Sequence, residues 1–273
     1  PHIPGIDFAG TVVESKSDKF KEGDEIIQTG WRVGEIFYGG YSQYAKVDAN
    51  FLVKKPKEIT SRQAMMLGTA GLTAIQCAFV TKQTREVLLL GEKVKDVLVT
   101  GATGGVGSFA VAILKSAGFE VNACSGREDR AEYLFSIGAD KVLPRRELEI
   151  EQMQNLLKPK WWAAVDTVGG RILTNTIKQT GDKGIVTATG MVNNTVFETN
   201  VLPFILRSVR LIGINTEMLQ TRDRIDLVSQ SKYSLSPEIL DKICKTILLS
   251  DLEDCLHDYL NGKIYGRIIV DLT

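Results

Sequence analysis

The chain has 273 residues, with 33 lysines and arginines against 33 aspartates and glutamates, so its formal charge is zero. That balance supplies no global field for a nucleic acid or an anionic membrane surface, and neither is expected as a partner. Hydrophobic residues at 44%, charged residues at 24% and only 7 prolines fit a soluble protein of about two domains without long disordered linkers.

The opening PHIPGIDFAG has neither a basic leader, an apolar run nor an initiating Met, so no signal peptide is read and a cytoplasmic location is expected. From residue 1 to about Ala64, short strand-like runs alternate with turns at Gly5, Gly10, Gly23-Asp24, Gly30, Gly39-Gly40 and Pro56, the pattern of an all-β unit. The most apolar stretch, Ala64 to Val80, is interrupted by Gly68, Thr69, Gly71, Thr73 and Gln76 and reads as too short and too polar to cross a bilayer. Six apolar, β-branched runs follow: 96–101, 120–124, 141–143, 163–167, 184–187 and 209–214. Helix-length segments separate them, which predicts an α/β fold with a doubly wound parallel sheet. The tail reads as a helix over 251–261, stopped at Gly262, and a last strand over 267–272. Trp161-Trp162 reads as packing at a strand entrance.

Cys77, Cys124, Cys244 and Cys255 are dispersed, with no CxxC and only His2 and His257 to join them. Neither a zinc site nor a disulfide framework is expected; the thiols read as reduced and mostly buried, and His257 as exposed or core rather than catalytic.

The run DVLVTG leads directly into Ala102-Thr103-Gly104-Gly105-Val106-Gly107, and 108–117 has helical composition ending at Gly118. Thr103, Gly104, Gly105, Val106 and Gly107 therefore sit at a strand-to-helix turn. Lack of side chains there lets backbone approach a pyrophosphate, and the helix N-terminus adds unpaired N–H groups and a positive dipole end. An NAD site usually carries an acid at the end of the second strand, to bind the ribose 2′-hydroxyl. Here that strand ends Ser125-Gly126-Arg127, a hydroxyl and a guanidinium suited to the 2′-phosphate of NADPH. Glu128 is the nearest acid, and its spacing from Ser125 is that of a helix capping box, which gives it a structural role instead.

Taken together, IPGIDFAGTV (3–12), TGWRVGE (29–35), GGYSQYA (39–45), GTAGLTA (68–74), VTGATGGVGS (99–108), SGR (125–127), VDTVGG (165–170), PFILRSVRLIGI (203–214) and GR (266–267) are specific. On these motifs the whole chain resembles the zinc-independent quinone oxidoreductase branch of the medium-chain dehydrogenase/reductase superfamily, within its acrylyl-CoA reductase-like group. The resemblance implies a Rossmann domain inserted into a GroES-like β domain: residues 1–70 the first part of the GroES-like domain, 71–250 the Rossmann domain, and 251–273 the return to the first, with the active site in the cleft. It also implies about sixty residues ahead of IPG, so the chain reads as a truncated copy.

Where zinc-dependent relatives carry Gly-His-Glu, this chain has Gly5-Ile6-Asp7, and the four-cysteine lobe is missing. The resemblance thus implies no metal, hydride transfer from NADPH, and an acceptor whose charge is already delocalised: an enoyl-CoA thioester, an enone or a quinone. Asp7 is expected to bond backbone. GTAGLTA begins a helix whose small residues, Thr69 included, pack on the cofactor or on neighbouring helices. Asp166-Thr167 ends the fourth strand and Thr189-Gly190 follows the fifth, where such sheets face their ligand. The family places Phe204 and Ile205 toward the nicotinamide, with plain core as the alternative, and Asn215 just past the sixth strand. Arg145 and Arg267 are candidates for cofactor phosphate or carboxamide contacts, with surface salt bridging as the alternative. Tyr41 is the candidate proton donor, unless GGYSQYA is simply a strand. A homo-oligomer, as a dimer, is expected. The rival reading is a non-catalytic NADPH-binding sensor, because no side chain declares itself as acid or base.

Overall fold

The computed structural model describes residues 2–88, 94–151, 153–219 and 235–272. Within these the chain forms two compact units, the first holding residues up to Leu72, 215–219 and Cys244 onward, the second Thr73–Ile214 and 235–243.

In the first unit, β1 (Asp7–Thr11), β2 (Glu25–Thr29) and β3 (Leu52–Lys54) form an antiparallel sheet in that order. Phe20, Ile26 and Leu52 make its small core, with Phe8 and Val12 packed against them. The chain's end adds a parallel pair, β10 (Cys244–Leu248) with β11 (Arg267–Asp271), joined through helix α8 (Leu252–Leu260). Gly262, at φ +69°, stops that helix as the sequence predicts. The segment around Tyr41 is a series of bends and not a strand; the N–H groups of Gly39, Gly40 and Tyr41 donate to the carbonyls of Ile3, Gly5 and Pro4.

Helix α1 (Ser61–Val87) starts before GTAGLTA and is broken within it, at Gly68 (φ +48°, ψ −155°). Contrary to the expectation for 64–80, α1 is long and apolar enough to cross a membrane by length and composition. More than half of its most apolar stretch is buried inside the protein, as in the core helix of a folded domain.

The second unit is built on six parallel strands in the order β6-β5-β4-β7-β8-β9. These are β4 (Asp96–Thr100), β5 (Glu120–Ser125), β6 (Lys141–Pro144), β7 (Trp161–Asp166), β8 (Thr180–Ala188) and β9 (Arg210–Gly213). The six predicted runs are these six strands. Their inner members read as unbroken apolar text because parallel sheets are covered on both faces, and all six residues of β7 are buried, Trp161 and Trp162 opening the strand. Helix α2 (Gly105–Ser116) begins three residues earlier than its composition suggests, inside the glycine motif. Past its last residue, Ser116, Gly118 takes φ +83° and the Phe119 N–H turns back to the Leu114 carbonyl. Helices α3 (Ala131–Ser136), α4 (Arg146–Glu149), α5 (Gly170–Lys178), α6 (Leu202–Arg207) and α7 (Pro237–Ile243) complete the unit. Strand order reverses between β4 and β7, and ligands of such sheets bind outside the carboxyl ends of the strands at that point.

Candidate functional site

The glycine turn lies at this switch point. Gly101 (φ +60°) turns the chain out of β4, and a side chain there would meet the Thr167 hydroxyl at 2.2 Å. Gly104 is the N-cap of α2, and the Ser108 N–H to Gly104 carbonyl bond is the first of the helix, so the N–H groups of Gly105, Val106 and Gly107 precede it without intrahelical partners. Gly104 is exposed and Gly105 and Val106 are half-buried, leaving this backbone accessible. A Cβ on Gly107 would lie 2.2 Å from the Gly101 carbonyl oxygen and 2.8 Å from the Ala102 Cα, so glycine is what brings α2 against the turn. Buried Thr103 shares a 3.1 Å hydrogen bond with Ser125 at the end of β5. An accessible helix N-terminus with no Cβ in the way fits the pyrophosphate of a dinucleotide.

Ser125 is 2% exposed, and its hydroxyl accepts the Arg127 N–H at 3.0 Å. The expected capping box with Glu128 is not formed. The Ser125 oxygen serves the nearer N–H, two residues on, and the exposed Glu128 pairs instead with Arg146. Arg127 is half-buried just past β5 and caps the short helical turn 128–130 without a side-chain bond to it. Arg145 forms an ion pair with Glu149 at 2.9 Å, its N–H donating to the Ser125 carbonyl, and its guanidinium lies beside Gly126.

Across the switch point, fully buried Asp166 accepts the Thr100 hydroxyl at 2.7 Å and the Gly169 N–H at 2.8 Å. Burial pushes its carboxyl up, against the opposing pull of those two donors. Thr189 follows β8 with its N–H on the Asp166 carbonyl, and a Cβ at Gly190 would lie 2.0 Å from the Thr167 oxygen. Phe204 packs on the main core, whereas Ile205, on the same helix, is 67% exposed. On sequence alone, Gly101 and Thr100 have no site role of their own beyond closing the run 96–101; the signal for Gly101 is a glycine directly after a buried strand.

In the first unit, Asp7 bonds backbone as expected, accepting the Thr69 N–H at 2.9 Å. It also accepts the Thr69 hydroxyl at 2.5 Å and Arg267 at 2.6 Å. Arg267 is thus no surface salt bridge: its side chain is 17% exposed and that of Asp7 4%. Burial raises the Tyr41 phenol, with Arg267 acting to lower it and Asp7 and Cys255 to raise it. Asn215 is exposed and accepts the Glu217 N–H, and His257 is exposed on α8. Cys77, Cys124 and Cys244 are buried; burial pushes the Cys77 and Cys124 thiols up to about 12, so neither is a nucleophile at neutral pH. Among the described residues no three His, Cys, Asp or Glu side chains converge as a metal-ligand set.

A glycine turn feeding a helix at the switch point of a doubly wound sheet defines a dinucleotide-binding α/β protein. Comparison with known proteins narrows the class. Residues 1–57 match the alcohol dehydrogenase GroES-like domain and residues 105–230 the zinc-binding dehydrogenase family. Acrylyl-CoA reductase AcuI of Ruegeria pomeroyi is 40% identical over 273 residues, covering all of this chain and 82% of that protein. The yhdH oxidoreductase of Salmonella enterica in complex with NADP superposes with a TM-score of 0.94 at 38% identity, over all of this chain and 82% of the other. The Bacillus subtilis protein yhfP with NAD bound gives 0.92 at 37%, with the same coverage. The chain belongs to the medium-chain dehydrogenase/reductase superfamily of oxidoreductases.

Proposed function

We propose that the chain is an NADPH-dependent reductase of activated C=C bonds or quinones, with acrylyl-CoA-like thioesters and enones as the favoured acceptors. The glycine turn at the switch point carries the reading, because its backbone N–H groups, which have no intrahelical partner, suit a pyrophosphate and a side chain at Gly107 would strike backbone. Thr103 to Gly107 bind that pyrophosphate. Ser125, Gly126, Arg127 and Arg145 face the 2′-phosphate, and Thr189, Gly190, Phe204 and Ile205 line the nicotinamide side. The NADP-bound Salmonella relative supports this cofactor, and the NAD-bound Bacillus relative makes Arg127 the residue to test.

Bound NADPH supplies the hydride. The protein's own residues orient the acceptor, exclude water and provide the proton. Where zinc-dependent relatives place a histidine and an acid, Ile6 offers no ligand and Asp7 is committed to Thr69 and Arg267. Without a Lewis acid an alkoxide is poorly stabilised, whereas an enolate or a hydroquinone spreads its charge. The Tyr41 hydroxyl gives the α-carbon its proton. A cytoplasmic homodimer belongs to the same reading.

The test is full-length protein with NADPH and, in turn, acrylyl-CoA, crotonyl-CoA, an enone and benzoquinone. Loss of NADPH absorbance with at least one of them is expected. Tight NADPH binding with no turnover on any would make the protein a sensor.

A further inference from the structure

Arginines and glutamates crowd the ends of β5 and β6. Glu128 pairs with Arg146, Glu147 stands 3.8 Å from Lys160, and Glu149 pairs with Arg145 at 2.9 Å, so each of these acids is committed to a cation. The last pair is the most firmly mounted. Asn175 on α5 is 1% exposed, and its Nδ2 donates to the carbonyls of Leu148 and Ile150, both at 2.8 Å. The backbone on either side of Glu149 is thereby clasped by one buried side chain, and Leu148 itself lies in the main core.

Arg145 follows β6 directly, and its N–H donates to the Ser125 carbonyl at 2.9 Å, which brings the residue to Gly126. A Cβ on Gly126 would lie 3.4 Å from Arg145 Nε, 3.5 Å from Cζ and 3.6 Å from Cδ. Consecutive atoms at nearly one distance mean that the side chain runs side-on past the glycine. Glu149 Oε1 meets the Nε edge, and among the described residues neither Nη group donates a hydrogen bond. The Arg145 side chain is 43% exposed, so this pair adds little to stability. A guanidinium held by one edge with its outer fork open suits a bidentate anion.

We propose that Glu149 is a positioning residue for cofactor choice: it holds Arg145 by its Nε edge beside Gly126, so that the Nη fork meets the 2′-phosphate of NADPH. This rests on the reading of Arg145 as a contact of that phosphate. An unheld arginine samples many rotamers and gives them up on binding; the clasp from Asn175 through Glu149 removes that cost beforehand. The Glu149 charge is spent on the Nε edge, away from the fork. NADH has no 2′-phosphate for the fork to meet, so the arrangement favours one cofactor over the other.

The test is calorimetry of full-length protein with NADPH and with NADH. Glu149→Gln is expected to weaken NADPH binding about two- to tenfold, the cost of immobilising one long side chain, while NADH affinity and the thermal melt stay near wild type. Placed on Arg145→Ala, the same substitution should have no further effect, because Glu149 acts through that arginine. Three results with Glu149→Gln would each overturn the proposal. Unchanged NADPH affinity would leave a surface ion pair and nothing more, tighter NADPH binding would make Glu149 a competitor of the phosphate, and equal losses for both cofactors would make its role structural. An additional loss on the Arg145→Ala background would also overturn it. Arg145→Ala binding NADPH like wild type would overturn the placement of Arg145 at the phosphate, and the proposal with it.

Discussion

The Thr100 hydroxyl donates to the Asp166 carboxylate across 2.7 Å, tying the carboxyl ends of β4 and β7 where the strand order of the sheet reverses. Both residues are fully buried, and the second carboxylate oxygen takes the Gly169 N–H, so the bond fixes the floor beneath the glycine turn.

Removing that acceptor strands two buried donors. Asp166→Ala is expected to cost about 1–3 kcal/mol in chemical denaturation. The pH dependence follows from the carboxyl being raised above its usual 3.8 by burial. Between 3.8 and the raised value the unfolded chain has released the proton that the folded chain keeps. Wild type should therefore lose stability relative to Asp166→Asn as pH rises from about 4 through that window, and level off above it. Wild type gaining stability relative to Asp166→Asn as pH rises through that window would contradict the burial argument.

Arg127 should read the 2′-phosphate. A charge-assisted hydrogen bond is worth about 1.5–3 kcal/mol, or about tenfold to a hundredfold in affinity. Arg127→Ala is expected to weaken NADPH binding by that factor in calorimetry and leave NADH nearly unchanged. Equal losses for both would remove Arg127 from the phosphate site.

Gly107→Ala forces a methyl to within 2.2 Å of backbone oxygen that cannot swing aside. A cost of about 1–3 kcal/mol and a large loss of NADPH affinity are expected. Gly213→Ala is the control, because its Cβ would meet nothing within 4 Å. A thermal melt and a binding isotherm on both variants check the contrast.

Metal removal is expected to change nothing. Dialysis against EDTA should leave turnover at its starting rate, and protein purified without added metal should carry no stoichiometric zinc. Zinc at one per chain would overturn the zinc-free reading.

What the sequence made legible was local or periodic. Strands such as 97–99 and 163–165 are runs of buried apolar residues, and the Gly104–Gly107 turn announces itself between a strand and a helix. What it hid depends on partners distant in the chain. Asp7 and Arg267 are 260 positions apart, and no local pattern joins them. Cys244–Leu248 becomes a strand only through its pairing with Arg267–Asp271. Gly68 breaks its helix to clear an ion pair that the text of GTAGLTA does not contain. The Ser125–Glu128 spacing suggested a cap, but other partners, the Arg127 N–H two residues on and Arg146 eighteen residues on, won both side chains.

The central claim is that the hydride goes to carbon in an activated alkene. Full-length protein is supplied with crotonyl-CoA and NADPH deuterated at C4 on the transferred face, and the product is read by NMR. The account predicts deuterium at the β-carbon of saturated butyryl-CoA; deuterium on the former carbonyl carbon of an alcohol or aldehyde would contradict it.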